Sequence, residues 1–442
     1  MDRKYYWIIT FGCQMNVHDS EVIAGQLEQM GYQKSSSIDR ADLIIFNTCC
    51  VRENPERKLI GQVGELRALK EEKPHLVIGI CGCMVQQKEQ LERIRTELPH
   101  VDLVFGTHNI HRLPELLAQI GQSGERIFEV WDEEGEIVEG LPAVRQDGLK
   151  AYTNIIYGCT NFCTYCIVPY VRGRERSRAP EEIVQEIEGL VAQGYKEVTL
   201  LGQNVNAYGK DRDDGVDFAQ LLARINSIPQ LERIRFTTSH PKDVSPRLIE
   251  ALATLDKVCE HLHLPLQAGS DNILRRMNRK YTSGQYLELV NKIKEAVPDI
   301  ALTTDLIVGF PGETEADFQE TLRMVEEVGY DSAFTFIYSP RANTPAAEMP
   351  DQVPEETKKD RIYRLIELQN RISLEKNKAL VGQVQEVLVE GPSKTDPTKF
   401  SGRNRQNKLV SFTNATKAHV GQVVPVLIRG AQTWTLQGEL QG

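Results

Sequence analysis

The first 120 residues alternate between short apolar runs and longer stretches in which apolar residues recur with helical spacing. Runs of the first kind are typical of buried parallel strands, and stretches of the second kind predict amphipathic helices. The repeat therefore predicts an α/β domain with a parallel sheet and helices on both faces. The predicted strands cover residues 6–11, 42–47, 76–80 and 101–105, and the predicted helices cover residues 17–31, 56–72, 87–98 and the stretch after residue 112.

The middle of the chain repeats a strand and a helix six times. Six units are too few for the usual closed barrel of eight, so we predict an open, partial (βα)6 barrel with its chemistry at the carboxyl ends of the strands. The predicted strands cover residues 152–156, 197–201, 233–237, 261–266, 301–308 and 332–338, and one of the helices covers residues 181–193.

A charged helix is predicted from residue 355 to about residue 378, and the pattern then changes to short alternating runs. These runs, at 383–389, 408–412, 423–428 and 433–439, predict a small all-β module. Residues 121–148 contain an acidic run and a turn-prone Gly-Leu-Pro segment, and we interpret them as a solvated linker. The predicted units are therefore 1–120, the linker 121–148, the barrel 149–378 and the module 379–442.

Three cysteines, Cys159, Cys163 and Cys166, follow the first predicted barrel strand at a CxxxCxxC spacing. A loop of this length lets three thiolates converge on one cluster, and thiolates are the usual protein ligands of iron–sulfur clusters. A structural zinc site needs four ligands, and no further cysteine or histidine lies close by in the sequence. Zinc, a disulfide and a chance spacing are the alternatives. Three thiolate ligands leave one iron of a cubane open to a small molecule.

A second set of cysteines, Cys13, Cys49 and Cys83, falls just past the ends of the first three predicted strands. In an open parallel sheet these strand ends face one crevice, where ligands bind. The shared position predicts a second three-thiolate site, and the alternative is that the three are small buried hydrophobic residues. Cys50 and Cys81 lie close enough in sequence to replace a ligand, but we expect both to be bystanders.

Composition is typical of a soluble globular protein with two or three domains, since 40% of the 442 residues are hydrophobic and 26% are charged. No apolar run is long enough to predict a membrane span, and the N-terminus lacks the apolar core of a signal peptide. We therefore expect a cytoplasmic protein. In that compartment nine cysteines indicate metal or redox chemistry rather than disulfides.

The net charge of −10 argues against a nucleic-acid partner, but the charge is unevenly distributed. Residues 379–442 carry seven Lys or Arg and four Asp or Glu, a net charge of +3 against −13 for the rest. Local charge decides whether a surface can meet phosphate. A second basic run follows the CxxxCxxC loop, with a solvated charged surface as its alternative. The candidate RNA contacts are Arg172, Arg174, Arg176 and Arg178 in that run, and Arg403, Arg405 and Lys408 in the module.

The segments around the cysteines resemble the motifs of a known family. The CxxxCxxC loop, with Tyr165 before its last cysteine, resembles the signature of the radical S-adenosylmethionine superfamily. Phe11-Gly12-Cys13-Gln14-Met15-Asn16, Asn47-Thr48-Cys49 and Gly82-Cys83-Met84 resemble the ligand motifs of its methylthiotransferase family. Residues 379–442 resemble the TRAM domain, an OB-like barrel found on RNA-modifying enzymes. The resemblance implies a Rossmann-like first domain, a partial (βα)6 radical SAM barrel and a C-terminal TRAM barrel.

The same resemblance implies two [4Fe–4S] clusters and S-adenosyl-L-methionine as cofactors. The implied cluster ligands are Cys159, Cys163 and Cys166 for one cluster, and Cys13, Cys49 and Cys83 for the other. Strand-end motifs of amides, hydroxyls and tight glycine turns lie on the same predicted rim as the CxxxCxxC loop, although each alone is ordinary loop chemistry. By resemblance, the cofactor pocket contains Tyr165, Gln203, Gln267 and Asp305.

Finer motifs at 173–178 and 202–206 resemble the branch that adds a methylthio group to carbon 2 of N(6)-isopentenyladenosine, next to the anticodon in tRNA. The implied partners are that tRNA, an electron donor and a sulfur donor, without a membrane, and the chain is expected to be a monomer. Three alternatives stay open. They are the branch that acts on threonylcarbamoyladenosine in tRNA, the branch that modifies a ribosomal protein, and a non-enzymatic iron–sulfur RNA-binding sensor.

Overall fold

A six-stranded parallel sheet organises the first part of the computed structural model, which describes residues 3–50, 53–145, 147–413 and 419–441, without the side chains of residues 53–57. Its strands are Tyr5–Thr10 (β1), Gln33–Lys34 (β2), Leu43–Thr48 (β3), Val77–Gly82 (β4), Leu103–Phe105 (β5) and Ile127–Glu129 (β6), and its helices are Gln14–Gln29 (α1), Glu53–Glu72 (α2), Lys88–Glu97 (α3) and Leu113–Ser123 (α4). The strand order is β2-β1-β3-β4-β5-β6.

Two separate apolar clusters cover the two faces of this sheet, which confirms the predicted α/β domain. One contains residues of α2 and α3, and the other contains residues of α1 and α4. The edge strand β6 lies inside the stretch that the sequence predicts as a linker, and α4 also extends into it. A strand of three residues is too short for its alternation to be recognised in the sequence.

The middle of the chain forms a half-barrel of parallel strands, as predicted. Its parallel strands are Lys150–Asn154 (β7), Glu197–Leu201 (β10), Arg233–Thr237 (β11), His261–His263 (β12), Ala301–Val308 (β13) and Ser332–Ile337 (β14), while Ile156–Tyr157 (β8) and Arg176–Ser177 (β9) form a separate antiparallel pair. Its helices are Val168–Arg172 (α5), Pro180–Ala192 (α6), Phe218–Asn226 (α7), Pro246–Thr254 (α8), Asp271–Arg276 (α9), Ser283–Ala296 (α10), Glu315–Val328 (α11) and Glu355–Lys378 (α12). Strands β7, β10 and β11 form one sheet and β12, β13 and β14 another. The amide of Cys259 donates to the carbonyl of Ile234 at 3.0 Å where the two sheets meet. In the described residues no ladder joins β7 to β14, so the barrel is open.

The C-terminal module is a closed five-stranded barrel with the order β15-β16-β17-β19-β18, given by Val384–Pro392 (β15), Phe400–Asn404 (β16), Leu409–Thr413 (β17), Val423–Ala431 (β18) and Thr435–Leu440 (β19). All its strand pairs are antiparallel except β17 with β19. The sequence does not predict β16, because its residues are mostly polar or glycine. None of the helices in the described part of the chain is long and apolar enough to cross a membrane.

The module docks on the amino ends of the half-barrel strands, opposite the CxxxCxxC loop. Contacts at or just before the first residues of five strands are Lys150 with Glu390 at 2.9 Å, Arg233 with the carbonyl of Arg403 at 2.7 Å, Glu260 with Arg405 at 2.7 Å, the carbonyl of Asp299 with Gln406 at 2.6 Å, and Asp331 with Lys408 at 2.7 Å. The N-terminal domain covers the other end, where His18 on α1 meets Asn154 at the end of β7, with 3.1 Å between their nitrogens. The half-barrel is thus held between two domains.

Candidate functional site

The CxxxCxxC loop begins at the end of the first half-barrel strand and turns on Gly158. This glycine has φ of +76°, and a Cβ there would lie 1.9 Å from the carbonyl oxygen of Arg174, so no other residue fits without displacing the backbone. The amide of Cys159 donates to the carbonyl of Gly173 at 3.0 Å, and the amide of Cys166 donates to that of Cys163 at 2.9 Å. These bonds hold the loop over the carboxyl ends of the strands.

Among the cysteines of this loop, Cys163 is buried, and Cys159 and Cys166 are half-buried. Burial raises the pKa of Cys159 to about 11 and that of Cys166 to about 12. Such thiols stay protonated at neutral pH unless a metal binds them, because a coordinating thiol loses its proton to the charge of the metal. Two side chains donate to the sulfurs, namely Asn161 to Cys159 and Arg279 to Cys163, both at 3.4 Å. The loop is therefore suited to hold a metal cluster rather than to present a free nucleophile.

The second set of cysteines lies just past the carboxyl ends of β1, β3 and β4, as predicted. Cys13 is the N-cap of α1 and is exposed, whereas Cys49 and Cys83 are 3% and 5% exposed. Gly12 has φ of +120°, and a Cβ there would lie 2.6 Å from the Cβ of Cys49. The tight approach of these two loops therefore requires the glycine before Cys13.

The neighbouring cysteines differ in their surroundings. Cys81 lies in the apolar cluster on the α1 and α4 side of the sheet, where burial raises the pKa of its thiol well above the usual value. Cys50 packs against Cys83, Ile167 and Val171. A hydrogen bond with Cys50 and the charge of Arg172 lower the pKa of Cys83 to about 6, although burial acts in the other direction.

A cavity of about 1390 Å³ brings the two sets of cysteines together. Cys13 and Cys49 line it from the N-terminal domain, and Cys166 lines it from the half-barrel. In the described part of the chain, no three His, Cys, Asp or Glu side chains are placed to hold a single metal ion. A cubane binds each thiolate on a different iron, so its ligands stand farther apart than those of one ion. Thiolates are the usual protein ligands of iron–sulfur clusters, and Cys13, Cys49 and Cys166 are the members of the two sets that line this cavity.

Three of the four candidate cofactor residues line this cavity. Tyr165, Gln267 and Asp305 are among its walls, and Gln267 adopts φ of +73° between two hydrogen bonds to the backbone of β13. The Oδ2 atom of Asp305 lies 3.4 Å from Nε2 of His263. Gln203 is placed differently, because its amide nitrogen donates to the sulfur of Met15 and its buried Oε1 has no partner among the residues that the structure describes.

The sequence does not single out other residues that line the cavity. His261 and His263 on β12 and Thr303 on β13 line it together with Arg235 on β11. Burial lowers the pKa of His261 well below its usual value, so this imidazole is neutral. Alternation along a barrel strand, which sends every second residue inward, is the signal that identifies such residues.

The basic run after the cysteine loop is mostly internal, which differs from the prediction of an RNA-binding surface. Arg172 and Arg178 are 5% and 6% exposed, and each forms an ion pair, Arg172 with Asp19 at 2.8 Å and Arg178 with Glu186 at 2.7 Å. Arg176 is half-buried and donates to the carbonyl of Gly135. Arg174 alone among these four is exposed. A buried guanidinium that is already paired has no surface to offer to a phosphate.

The candidate RNA contacts of the module also have partners within the protein, which differs from the prediction of an RNA-binding surface. Arg405 makes two hydrogen bonds to the carboxylate of Glu260, and Lys408 contacts Asp331 and is only 11% exposed in its side chain. Arg403 is 38% exposed and donates to the carbonyl of Asn407 at 2.7 Å. The side chains of Arg405 and Lys408 attach the module to the half-barrel, whereas the side chain of Arg403 contacts residues of its own module. Lys417, another basic residue of the module, lies outside the described residues.

Comparisons with known proteins agree with the three-part architecture. The Radical SAM superfamily matches residues 153–325, the Uncharacterized protein family UPF0004 matches residues 5–106, and the TRAM domain matches residues 378–441. Among solved structures, the radical S-adenosylmethionine methyltransferase TsrM from Kitasatospora setae superposes with a TM-score of 0.56 at 14% identity, over 88% of this chain and 78% of that one. The radical enzyme OxsB superposes with a TM-score of 0.56 at 14% identity, over 84% of this chain and 56% of that one. These two likenesses establish the fold alone.

Curated relatives are much more similar and match over the full length. The protein named tRNA-2-methylthio-N(6)-dimethylallyladenosine synthase in Acetivibrio thermocellus is 57% identical over 99% of this chain and 91% of its own length. Its namesake in Carboxydothermus hydrogenoformans is 58% identical over 100% of both chains. On this similarity, the chain belongs to the family of the tRNA-2-methylthio-N(6)-dimethylallyladenosine synthases, which are radical SAM methylthiotransferases.

Proposed function

We propose that this chain adds a methylthio group to carbon 2 of N(6)-isopentenyladenosine next to the anticodon in tRNA, with S-adenosylmethionine and iron–sulfur clusters as cofactors. The names of the relatives support the substrate and the product. The observation that carries the mechanism is that Cys13, Cys49 and Cys166 line one cavity. Chemistry at two clusters can meet at one adenine ring only if both clusters open into the same space.

The number of clusters in this proposal is two. Cys159, Cys163 and Cys166 hold one [4Fe–4S] cluster, and Cys13, Cys49 and Cys83 hold the other. Each set supplies three thiolates, so each cluster keeps one iron free for a small ligand. When bound, the clusters and S-adenosylmethionine supply the one-electron and methylthio chemistry that no protein side chain can provide.

The protein's own residues bind the cofactor and exclude water. Tyr165, Gln267 and Asp305 hold S-adenosylmethionine, and the hydrogen bonds of the Gln267 backbone to β13 keep its side chain at the cavity wall. The half-barrel core is an extensive apolar cluster, and the module covers the amino ends of the strands. Such a closed environment protects a reactive intermediate from side reactions with solvent.

The tRNA approaches at the carboxyl ends of the strands. Phe162 and Tyr170 flank the cysteine loop there, with exposed fractions of 44% and 49% and ring centroids 6.0 Å apart. Arg174 is exposed in the same segment. A base stacked on an aromatic ring contributes about 1–3 kcal/mol, and an arginine nearby pairs with phosphate. In this proposal the chain acts as a monomer, and separate electron and sulfur donors complete the reaction.

Nucleoside mass spectrometry on tRNA tests the function. A strain that lacks its own methylthiotransferase and expresses this chain should accumulate 2-methylthio-N(6)-isopentenyladenosine. A methylthio group on threonylcarbamoyladenosine or on a ribosomal protein instead would contradict the proposal. The inactive control is the variant with the CxxxCxxC cysteines changed to Ala.

Anaerobic iron and sulfide counts test the two-cluster assignment. The triple variant of Cys159, Cys163 and Cys166 to Ala should keep the N-terminal cluster, and the triple variant of Cys13, Cys49 and Cys83 to Ala should keep the other. Each should contain half of the iron of the parent protein. A folded variant that loses all its iron would contradict two independent sites.

A further inference from the structure

Arg172 links the half-barrel to a cysteine of the N-terminal domain. It is the last residue of α5, six positions after Cys166, and it is 5% exposed. Its Nε–H donates to the sulfur of Cys83 at 3.1 Å, and its Nη2 donates to Asp19 at 2.8 Å and to Asn16 at 3.0 Å. A residue of the segment that follows one cysteine set thus contacts a cysteine of the other.

The partners of Arg172 extend to the remaining two loops of the N-terminal set. The Oδ1 atom of Asn16, which accepts from Arg172, also lies 3.8 Å from the sulfur of Cys13. The amide nitrogen of Asn16 donates at 2.9 Å to the carbonyl of Thr48, the residue before Cys49. One buried group of polar atoms therefore connects all three cysteine loops, and Arg172 supplies its positive charge.

Arg178, six residues later, serves as a comparison, because it is a buried arginine whose contacts are purely structural. It is equally buried, but its Nε and Nη2 contact Glu139, and its Nη1 donates to Glu186 and to the carbonyl of Asn154. No donor of Arg178 is directed at sulfur in these contacts. Arg172 also has a carboxylate and an amide as partners, so its Nε–H contact with Cys83 is additional to what pairing of the charge requires.

We propose that Arg172 is a positioning residue for the N-terminal iron–sulfur cluster. Its side chain holds the sulfur of Cys83 in place and raises the reduction potential of the cluster. This inference rests on the proposed assignment of Cys13, Cys49 and Cys83 as cluster ligands. Hydrogen bonds to cluster sulfurs and local charge set the potentials of such clusters, and a donor with a positive charge stabilises the reduced, more negative state. The position of Arg172 on α5 further makes this cluster sensitive to the conformation of the segment that follows the CxxxCxxC loop.

The test uses the full chain in a parent variant that retains only the N-terminal cluster. In this parent, Cys159, Cys163 and Cys166 are changed to Ala. Arg172→Gln and Arg172→Lys are added separately, with Arg178→Gln as the matched buried control. The readouts are the midpoint potential of the cluster by redox titration, its EPR spectrum and the chelator concentration that removes half of the iron.

Arg172→Gln should shift the midpoint potential to a more negative value and lower the half-removal concentration of the chelator about 10- to 100-fold, as for other residues that support metal ligands. Arg172→Lys keeps the charge but not the planar array of donors. The midpoint potential of the cluster in this variant should therefore lie between the potentials in the parent and in the Gln variant. Arg178→Gln should change neither the potential nor the spectrum. A folded Arg172→Gln protein with the potential and iron retention of the parent would overturn the inference.

Asp19→Asn provides a second test that leaves Arg172 in place. Loss of the carboxylate removes a negative charge beside the guanidinium, so the potential should shift in the opposite direction, to a more positive value. If the Arg172 variants do not fold, an unchanged potential in Asp19→Asn overturns the inference by itself. A parent variant that binds no iron would instead contradict the assignment of the ligands, which separates failure of the proposed function from failure of this inference.

Discussion

Replacement of Arg235 by Met is expected to weaken both the half-barrel and its contact with the C-terminal module. Arg235 lies on β11, and its side chain is 5% exposed, as is that of its partner Glu197, with 3.0 Å between Nε and Oε2. Its two terminal nitrogens donate to the backbone carbonyls of Arg405 and Asn404, both at 2.8 Å. The guanidinium thus joins a carboxylate of one domain to the main chain of another.

The magnitude follows from what the substitution leaves behind. Methionine fills a similar volume, so the main cost comes from the uncompensated Glu197 carboxylate, and removal of one partner of a buried pair costs about 3–5 kcal/mol. Each of the two carbonyls that loses its donor adds about 1–3 kcal/mol unless water reaches it. Arg235 and Glu197 also line the cavity, and water that enters it reduces these costs, so the lower end of the range applies. Arg235→Met should therefore lower the free energy of unfolding by at least about 3 kcal/mol and release the module at lower urea concentration.

Urea unfolding followed by circular dichroism measures the first effect, and limited proteolysis between α12 and β15 measures the second. The double variant Glu197→Gln with Arg235→Met should recover part of the loss, because it removes the unpaired charge. Arg224→Ala is the control, since its ion pair with Glu181 is largely exposed and should contribute about 0–1 kcal/mol. The reasoning would be refuted if the free energy of unfolding of Arg235→Met lay within about 1 kcal/mol of that of the parent. It would also be refuted if the double variant recovered none of the lost free energy.

Three further predictions concern the cysteines, the RNA surface and pH. Cys50→Ala and Cys81→Ala proteins should retain the full iron content of the parent by chemical analysis, and half of that content would make either residue a ligand. Arg174→Ala should flatten the slope of log affinity for tRNA against log salt by about 0.7–0.9, whereas Arg323→Ala, exposed on α11, should leave it unchanged. Burial lowers the pKa of His18 to about 3, from about 6.5 in the unfolded chain. Between these pH values the unfolded state binds more protons than the folded state, so the free energy of unfolding decreases as the pH is lowered. From pH 7 to pH 5 this should cost about 2 kcal/mol in urea unfolding, and His18→Asn should lose that part of the pH dependence.

Most strands could be predicted because each is a short segment in which apolar residues alternate with polar ones or follow one another. The bounds of β10, β11 and β13 agree with the predicted ones, and so do those of α12, whose charged residues repeat with helical spacing. Strand β12 ends earlier than predicted, at His263, two residues before Pro265. Proline has no amide hydrogen to donate to a neighbouring strand, so an apolar run that contains it does not extend a ladder.

The positions of the cysteines could also be predicted, because the carboxyl ends of parallel strands meet at one edge whatever the details of packing. The partners of the buried basic residues could not be predicted. Arg172 and Asp19 are separated by 153 positions in the chain, and Lys408 and Asp331 by 77. Whether a basic residue is exposed or paired depends on which domain faces it, and a single sequence contains no signal for that docking. Local charge in the sequence therefore does not tell which of these basic side chains are exposed.

The way in which the module docks restricts the route of the substrate. Arg405 and Lys408 form ion pairs with Glu260 and Asp331 at the amino ends of the strands, so an adenosine that entered there would have to break buried contacts. The cysteines lie at the opposite end, where the cavity is lined by both the N-terminal domain and the half-barrel. A tRNA held by the module must therefore contact faces of it other than the one toward the half-barrel, while its anticodon loop reaches the cysteine end around the outside. A phosphate contact on the module would thus be separated from the cysteines by the length of the half-barrel, so its loss should weaken binding of tRNA without changing the clusters.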